Sequence, residues 1–185
     1  MNQNPRRNKL TEFRVVIVVG AALLAGARTT PARLGETQAE IAERYGAATV
    51  TNEMAGLEMT IHRFKGDEIW CLYMDGRCSG EILLSTNAMA ETTGKAIAEK
   101  VIGKPLEDSK IPATERLRSL GGGELVDGSW KSKDADEATL SSIAKYGFRR
   151  QLMIVSAKLA KKLASDQKAE DEEKERKERA KSEGF

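Results

Sequence analysis

Four residues carry the side chains most suited to covalent chemistry in this chain, and they are Cys71, Cys78, Ser79 and the single histidine, His62. A thiol or hydroxyl becomes a nucleophile when a neighbouring base takes its proton. A reactive cysteine also needs an unpaired sulfur in an electropositive setting. The serine of "GRCSG" sits one position late for a G-x-S-x-G elbow and follows a hairpin turn. We therefore assign no catalytic residue, and a secreted thiol-dependent or hydrolytic enzyme using Cys78, Ser79 and His62 is the alternative hypothesis.

The two cysteines flank a hairpin signal, Asp75-Gly76, within "IWCLYMDGRCSGEILL". A two-residue loop would place Tyr73 opposite Cys78, with Cys71 diagonally across on the same face. A four-residue loop would place the cysteines directly opposite each other, within bridging distance. In an oxidising compartment an even cysteine count favours a disulfide between Cys71 and Cys78. Two buried free thiols are the other interpretation.

Aromatic residues offer a second kind of site. If Trp70, Tyr73 and Trp130 share an exposed sheet face, they form a patch for a protein partner or a glycan. The simpler interpretation is that they complete the core of a chain in which only 5% of residues are aromatic.

Metal and nucleotide sites find little support in the sequence. A single histidine excludes a multi-histidine centre, and "TTGKA" lacks the upstream glycine of a phosphate loop. The glycines at 121–123 follow no clear strand, which favours a flexible loop. The acidic residues near the C-terminus alternate with basic ones, unlike a calcium site. We predict no metal and no cofactor.

The N-terminus has the three parts of a secretory signal. A basic "PRRNK" precedes 13 apolar residues, Val15 to Ala27, which end in the small-residue box "AGA". The apolar run is shorter than the roughly 20 residues of a membrane-spanning helix. We predict export with cleavage after Ala27, to the periplasm or the medium. An uncleaved anchor in the inner membrane is the alternative.

Charge argues against nucleic acid as a partner. The chain has a formal net charge of +2, but its first 27 residues carry four basic side chains and one acidic one. The remainder is therefore close to neutral, with no basic footprint. The expected partner is an unidentified envelope protein or polymer, and contact with a membrane is expected only through an uncleaved signal segment.

Periodicity predicts an α+β fold. Thr37 and Glu40 form a capping box for a helix over 38–45 that ends at Gly46. A second helix is predicted over 87–102, capped by Ser85-Thr86 and ended by Gly103. Residues 104–129 have a loop-like composition. The predicted strands are 47–52, 57–64, 68–74, 78–84, one beginning at Trp130, and 149–157. The pattern of 138–146 fits a strand or a helix, and we favour a strand.

The strand pattern also assigns faces, and composition divides the chain. Leu57, Met59 and Ile61 alternate on one face, which places His62 on the other, exposed or half-buried. We predict a signal peptide at 1–27, one α+β domain at 28–163, and a charged helical or disordered tail at 164–185. In the domain two helices pack on an antiparallel meander.

The stretch "RLGETQAEIAERYG", followed by "DGRC" and a tryptophan-containing strand, resembles a group of uncharacterised exported bacterial proteins that begin with such an "LGET…RYG" helix. More distantly, the chain is similar to outer-membrane assembly lipoproteins of the SmpA/OmlA type. It lacks their anchoring cysteine and the proline after the helix-closing glycine. The resemblance implies a helix packed on an antiparallel sheet and carries over no catalytic residue. We therefore expect a non-catalytic binding or scaffolding module of the cell envelope.

Overall fold

Three two-residue turns fold the first four strands into a meander. Ala55-Gly56, Lys65-Gly66 and Asp75-Gly76 all have positive φ angles, between 52° and 90°. Positive φ at both central residues defines the type I′ turn, whose twist matches that of paired strands. The predicted Asp75-Gly76 hairpin is therefore confirmed, and its loop is the two-residue one.

The computed structural model describes residues 33–109, 125–143 and 150–182. Its strands are β1 (Val50–Met54), β2 (Leu57–Phe64), β3 (Asp67–Met74), β4 (Arg77–Ser85), β5 (Glu107–Asp108), β6 (Leu125–Lys131), β7 (Glu137–Ser142) and β8 (Arg150–Val155). They form one antiparallel sheet in the order β1-β2-β3-β4-β8-β7-β6-β5. The predicted signal segment, the glycines at 121–123, residues 144–149 and the last three residues lie outside the described ranges.

Three helices in the described ranges cover the two faces of this sheet: α1 (Gln38–Tyr45), α2 (Glu91–Ile102) and α3 (Ala157–Ser182). Helix α1 packs on the β3 residues Cys71 and Tyr73, and α2 packs farther along the same face. Helix α3 packs on the opposite face through Leu159 and Leu163. The fold is therefore α+β, as predicted, with helices on both faces of the sheet.

The capping box of α1 is present as predicted. Thr37 Oγ1 accepts a hydrogen bond from the Glu40 amide at 3.4 Å, and Glu40 Oε2 accepts one from the Thr37 amide at 2.8 Å. The helix ends at Gly46, which has a φ of 87°. Local sequence alone therefore determines both ends of this short helix.

Helix α2 begins later than predicted. Ser85 belongs to β4, where it pairs with Arg150, so neither it nor Thr86 caps the helix. The N-cap is Ala90, whose side chain cannot accept a hydrogen bond. The helix ends at Gly103, in a left-handed conformation, as predicted.

The segment predicted as a loop over 104–129 contains β5 and the first five of the seven residues of β6. Gly128 and Asp127 lower the strand propensity of β6, which is why its sequence resembles a loop. The strand nevertheless pairs with β7 from Leu125 to Lys131, with an irregularity between Val126 and Gly128.

The predicted charged tail is helical as far as Ser182, where it forms the C-terminal part of α3. The buried residues of α3 end at Leu163, and ion pairs four residues apart join Glu173 to Lys177 and Glu175 to Arg179. None of the helices in the described ranges combines the length and apolar character needed to cross a membrane.

Candidate functional site

A buried polar cluster lies between α1 and the sheet. It draws side chains from α1, β2, β3 and β4, and all of them are less than a tenth exposed. Its members are Tyr45, Thr60, His62, Cys71, Tyr73, Cys78 and Glu81. This buried polar cluster contains both cysteines and the single histidine, and it is therefore the candidate functional site.

His62 lies in a chain of hydrogen bonds. Its Nδ1 lies 2.8 Å from the carbonyl oxygen of Gly46, and its Nε2 lies 3.0 Å from Thr60 Oγ1. Thr60 Oγ1 lies 2.9 Å from the hydroxyl of Tyr73. Since a carbonyl only accepts, Nδ1 carries a proton, and in the neutral ring Nε2 accepts from Thr60. Both ring nitrogens are thus occupied within the fold.

The prediction that His62 is exposed or half-buried is wrong, although its face is the predicted one. The residue is 1% exposed because α1 and the loop at Gly46 cover this side of β2. Burial also raises the pKa of the Tyr73 phenol well above its usual value. Tyr73 therefore stays protonated and acts here as a hydrogen-bonding group.

Glu81 is a buried carboxyl group directly opposite Cys71 in the sheet. Its Oε1 accepts a hydrogen bond from the Tyr45 hydroxyl at 3.3 Å, whereas its Oε2 has no hydrogen-bond partner. Burial raises the pKa of Glu81 to about 8. Nearby on α1, Arg44 forms an ion pair with Glu36, so its charge is largely taken up there. Glu81 is therefore mainly a neutral acid at pH 7.

Glu81 is a member of the cluster that the sequence alone does not identify. Glu81 and Leu83 are two positions apart on β4 and therefore share a face. Because α1 and α2 cover that face, an acidic residue there has to be buried. The burial could be predicted only by knowing that these two helices pack on this side.

The two thiols lie in the diagonal arrangement. Tyr73 pairs with Cys78 and Cys71 pairs with Glu81, so the cysteines are not opposite each other. Both thiols are free and almost fully buried. A register irregularity between Leu72 and Tyr73 places Cys78 three residues from Glu81, the partner of Cys71, so the cysteines do not have the directly opposed arrangement that favours a bridge. The predicted disulfide is absent from this structure, and the two buried free thiols are what is observed.

The thiols are held in an environment that disfavours ionisation. Cys78 Sγ lies 3.4 Å from the carbonyl oxygen of Gly80, to which it donates. The pKa of Cys71 is raised well above its usual value, first by the neighbouring Cys78 thiol and then by burial. A thiolate is the reactive form, so this setting does not activate Cys71.

The alternative hypothesis joined Cys78, Ser79 and His62 in one reactive site, and the structure does not assemble it. Cys78 donates to Gly80, and the Ser79 hydroxyl donates to the carbonyl of Arg77 at 3.3 Å. His62 is committed to Thr60 and Gly46. Each polar atom therefore has its own internal partner, and all three residues are less than a tenth exposed.

The aromatic patch predicted from Trp70, Tyr73 and Trp130 is wrong, because the three side chains lie in different clusters. Trp70 is half-buried on the α3 face, where its Nε1 donates to Glu68 at 3.3 Å. Tyr73 is buried in the polar cluster under α1, and Trp130 is buried beside α2. These aromatic residues complete the core.

Within the described ranges, no three His, Cys, Asp or Glu side chains come together as metal ligands would. The chemical groups of the buried polar cluster hold α1 on the sheet. The backbone supports the same attachment: the Gly35 amide donates to Cys78 and the Cys78 amide donates to Glu36, both at 2.7 Å.

Comparisons with known proteins give a distant structural likeness. No family model matches the chain, and no curated protein matches it. A crystal structure of a cysteine-rich secretory protein from Staphylococcus aureus subsp. aureus Mu50 is similar with a TM-score of 0.41 and 9% sequence identity. The match covers 68% of this chain and 45% of that protein, so the chain spans less than half of its length. At this TM-score the likeness supports no inference about function.

Proposed function

We propose that this chain is an exported, non-catalytic module of the cell envelope that binds or scaffolds another envelope component. The observation that carries the proposal is the burial of the candidate reactive groups: Cys71, Cys78 and His62 are at most 1% exposed. A group that touches no solvent cannot receive a substrate without unfolding part of the domain. Exposed surface is instead offered by the strand β1 and by the charged part of α3.

Export is the second part of the proposal and depends on the sequence. The basic start, the 13-residue apolar run and the box ending at Ala27 favour secretion. The resemblance of "RLGETQAEIAERYG" to uncharacterised exported bacterial proteins is in keeping with this destination. We include a periplasmic or secreted location in the proposal on these grounds.

Export is tested by expressing the full chain with a C-terminal epitope tag in a bacterial host and fractionating the cells. We expect a mature form that begins at Arg28 in the periplasm or the medium, identified by intact mass. Ala27→Arg is the matched variant, because a large basic residue at the cleavage position should leave the precursor uncleaved. An intact wild-type chain in the cytosol would contradict the proposal.

The catalytic alternative is tested by a maleimide thiol probe applied without reductant. We expect the native protein to remain unlabelled over minutes and both Cys71 and Cys78 to react once the protein is unfolded, because both are buried. Rapid labelling of the native protein would support the thiol-dependent enzyme. Failure to label after unfolding, reversed by a reductant, would instead show that the cysteines form a disulfide in the cell.

A further inference from the structure

Strand β1 is an open edge of the sheet. It lies at one end of the strand order, and its only partner in the described ranges is β2. Four of its five residues, Val50 to Glu53, are exposed, and Val50 is the exposed large hydrophobic residue, at 45%. Alternate backbone N–H and C=O groups of such a strand point away from the sheet and can pair with another strand. The Glu53 amide donates to Asn52 Oδ1 at 2.8 Å, an exposed hydrogen bond that an incoming strand would replace.

The opposite edge of the sheet, β5, is protected against pairing with another strand, whereas β1 is not. Strand β5 has only two residues, both acidic, and the Asp108 carboxylate is 2.8 Å from Lys95 Nζ. Short strands, prolines, lysines and bulges are the usual means of preventing edge pairing. β1 contains no proline and no lysine, and its pairing with β2 runs without a bulge from Val50 to Met54. Its five residues span about 17 Å, long enough to accept another strand.

The two faces of β1 differ in chemistry. Val50 and Met54 point to the α3 face, where Met54 packs on the core. On the other face Glu53 stands directly opposite Glu58 of β2. Like charges directly opposite in a sheet are unfavourable, and Glu58 is relieved only by the neutral amide of Gln38, at 2.6 Å.

This like-charge pair decides between possible occupants. No ion pair in the described part of the chain includes Glu53 or Glu58. If a second copy paired antiparallel through β1 about Asn52, it would bring Thr51 opposite Glu53 and add two more glutamates to the same face. A strand that carries a lysine or arginine opposite Glu53 would neutralise the pair instead. Charge complementarity therefore favours a basic partner over self-association.

We propose that β1 is the docking edge for an extended segment of a partner protein, which adds a strand to the sheet with basic residues facing Glu53 and apolar residues facing Val50 and Met54. The inference rests on the proposed binding function and deepens it by naming the surface and the kind of partner. Main-chain hydrogen bonds supply affinity in this mode of recognition, and alternate side chains supply specificity.

The test uses the full chain and two blocked octapeptides, one alternating valine with lysine and the other alternating valine with glutamate. We expect the lysine peptide to bind about five- to tenfold more tightly than the glutamate peptide in fluorescence anisotropy, with the difference reduced by salt. NMR shifts should change at Val50–Met54. Glu53→Lys should reverse the preference between the two peptides.

Proline substitutions separate pairing from charge. Adjacent residues of a strand direct their N–H groups to opposite sides of that strand. Of the two variants Thr51→Pro and Asn52→Pro, one therefore loses an N–H group that faces the open edge, and the other loses a hydrogen bond to β2. The outward variant should keep the wild-type unfolding midpoint and lose peptide binding. Equal binding by both prolines and the wild type would overturn the proposal, as would shift changes confined to α3.

Two further outcomes separate this inference from the proposed function. If an envelope extract yields the same captured protein with the wild type and with Glu53→Lys, the binding function stands and β1 is not its surface. If neither captures a protein, and neither peptide binds, both proposals fail. A dimer in analytical ultracentrifugation that the outward proline abolishes would show that the occupant is a second copy, which would overturn the proposed partner.

Discussion

Replacing Glu81 by glutamine is expected to remove a loss of stability that the wild-type protein undergoes between about pH 4.5 and pH 8. Glu81 is 2% exposed, and burial raises its pKa from 4.5 to about 8. The folded state therefore holds a proton on Glu81 across this interval, whereas the unfolded chain releases it. Each pH unit in the interval costs the wild type about 1.4 kcal/mol, on the order of 5 kcal/mol in all.

The sign follows from proton binding. Stability falls with rising pH wherever the folded state binds more protons than the unfolded state. The contribution of Glu81 to stability is therefore highest below pH 4.5, falls as pH rises, and is constant above about pH 8. Glutamine is neutral at every pH, so the difference in unfolding free energy between the variant and the wild type should rise across the same interval.

The measurement is chemical denaturation of both proteins at several pH values from 4 to 9. Glutamine keeps an oxygen that accepts from the Tyr45 hydroxyl but adds a buried amide donor, so the variant should be no more stable than the wild type at pH 4. At pH 8 the variant should be clearly more stable, because it has no carboxyl group to lose a proton on unfolding. Glu43→Gln, at an exposed glutamate of α1, is the control that keeps Glu81 and with it the wild-type slope. Parallel pH profiles for Glu81→Gln and the wild type would contradict the prediction.

The parts of the fold that sequence predicts are those set by neighbouring residues. The capping box of Thr37 and Glu40 defines α1, and the Asp75-Gly76 dipeptide defines a hairpin, because each feature depends on contacts within a few residues. The end of α2 at Gly103 belongs to the same class. The alternation of Leu57, Met59 and Ile61 likewise assigns the faces of β2 correctly.

The sequence does not predict that helices from distant parts of the chain cover both faces of the sheet. Thr60 and His62 alternate with apolar residues, a pattern typical of a strand with one wet face. Residues 37–46, more than a dozen positions earlier, fold over that face and bury His62, Cys71 and Glu81. The sequence therefore indicated the two cysteines and His62 one by one but not Thr60 or Glu81, since the packing of α1 that brings the cluster together is a long-range event.

The burial of the candidate reactive groups follows from the same packing. A cysteine and a histidine on neighbouring strands suggest a dyad, but the histidine here is held by Thr60 and Gly46. Reactivity needs both an available base and access for a substrate. α1 removes both, so residues suited to catalysis become the means by which a short helix is attached to a sheet. For this reason we place the proposed binding surface at the exposed edge strand β1 and not at the buried polar cluster.

Gly128 shows why part of β6 was predicted as a loop. A glycine after Asp127 is typical of a turn, but here it provides space: the Trp130 ring, 1% exposed, lies against the backbone at Gly128. A Cβ at this position would lie 2.6 Å from Cζ2 of Trp130 and 3.0 Å from Cγ of Glu91 on α2. The glycine is needed for the fit between β6 and α2.

Gly128→Ala is expected to destabilise the protein by about 2–3 kcal/mol, because overfilling a packed core forces side chains away from their preferred rotamers. The ring of Trp130 has little room to move, since its neighbours in this cluster include Leu140 and Ile154, both fully buried. Chemical denaturation of the variant and the wild type at one pH measures the loss. The far-ultraviolet circular dichroism should remain that of the wild type, because the clash is local.

A double-mutant cycle identifies the cause. Trp130→Leu removes the atoms that the new Cβ would strike, so Gly128→Ala should cost less in that background than in the wild type, by about 1 kcal/mol or more. Trp130→Leu alone should also destabilise, because it leaves a cavity beside α2. Strictly additive losses would mean that the cost of alanine comes from the backbone of β6 and not from the ring. Because the φ of Gly128 is not positive, backbone strain gives no reason to expect that result, and a clash between the new Cβ and the Trp130 ring predicts non-additive losses.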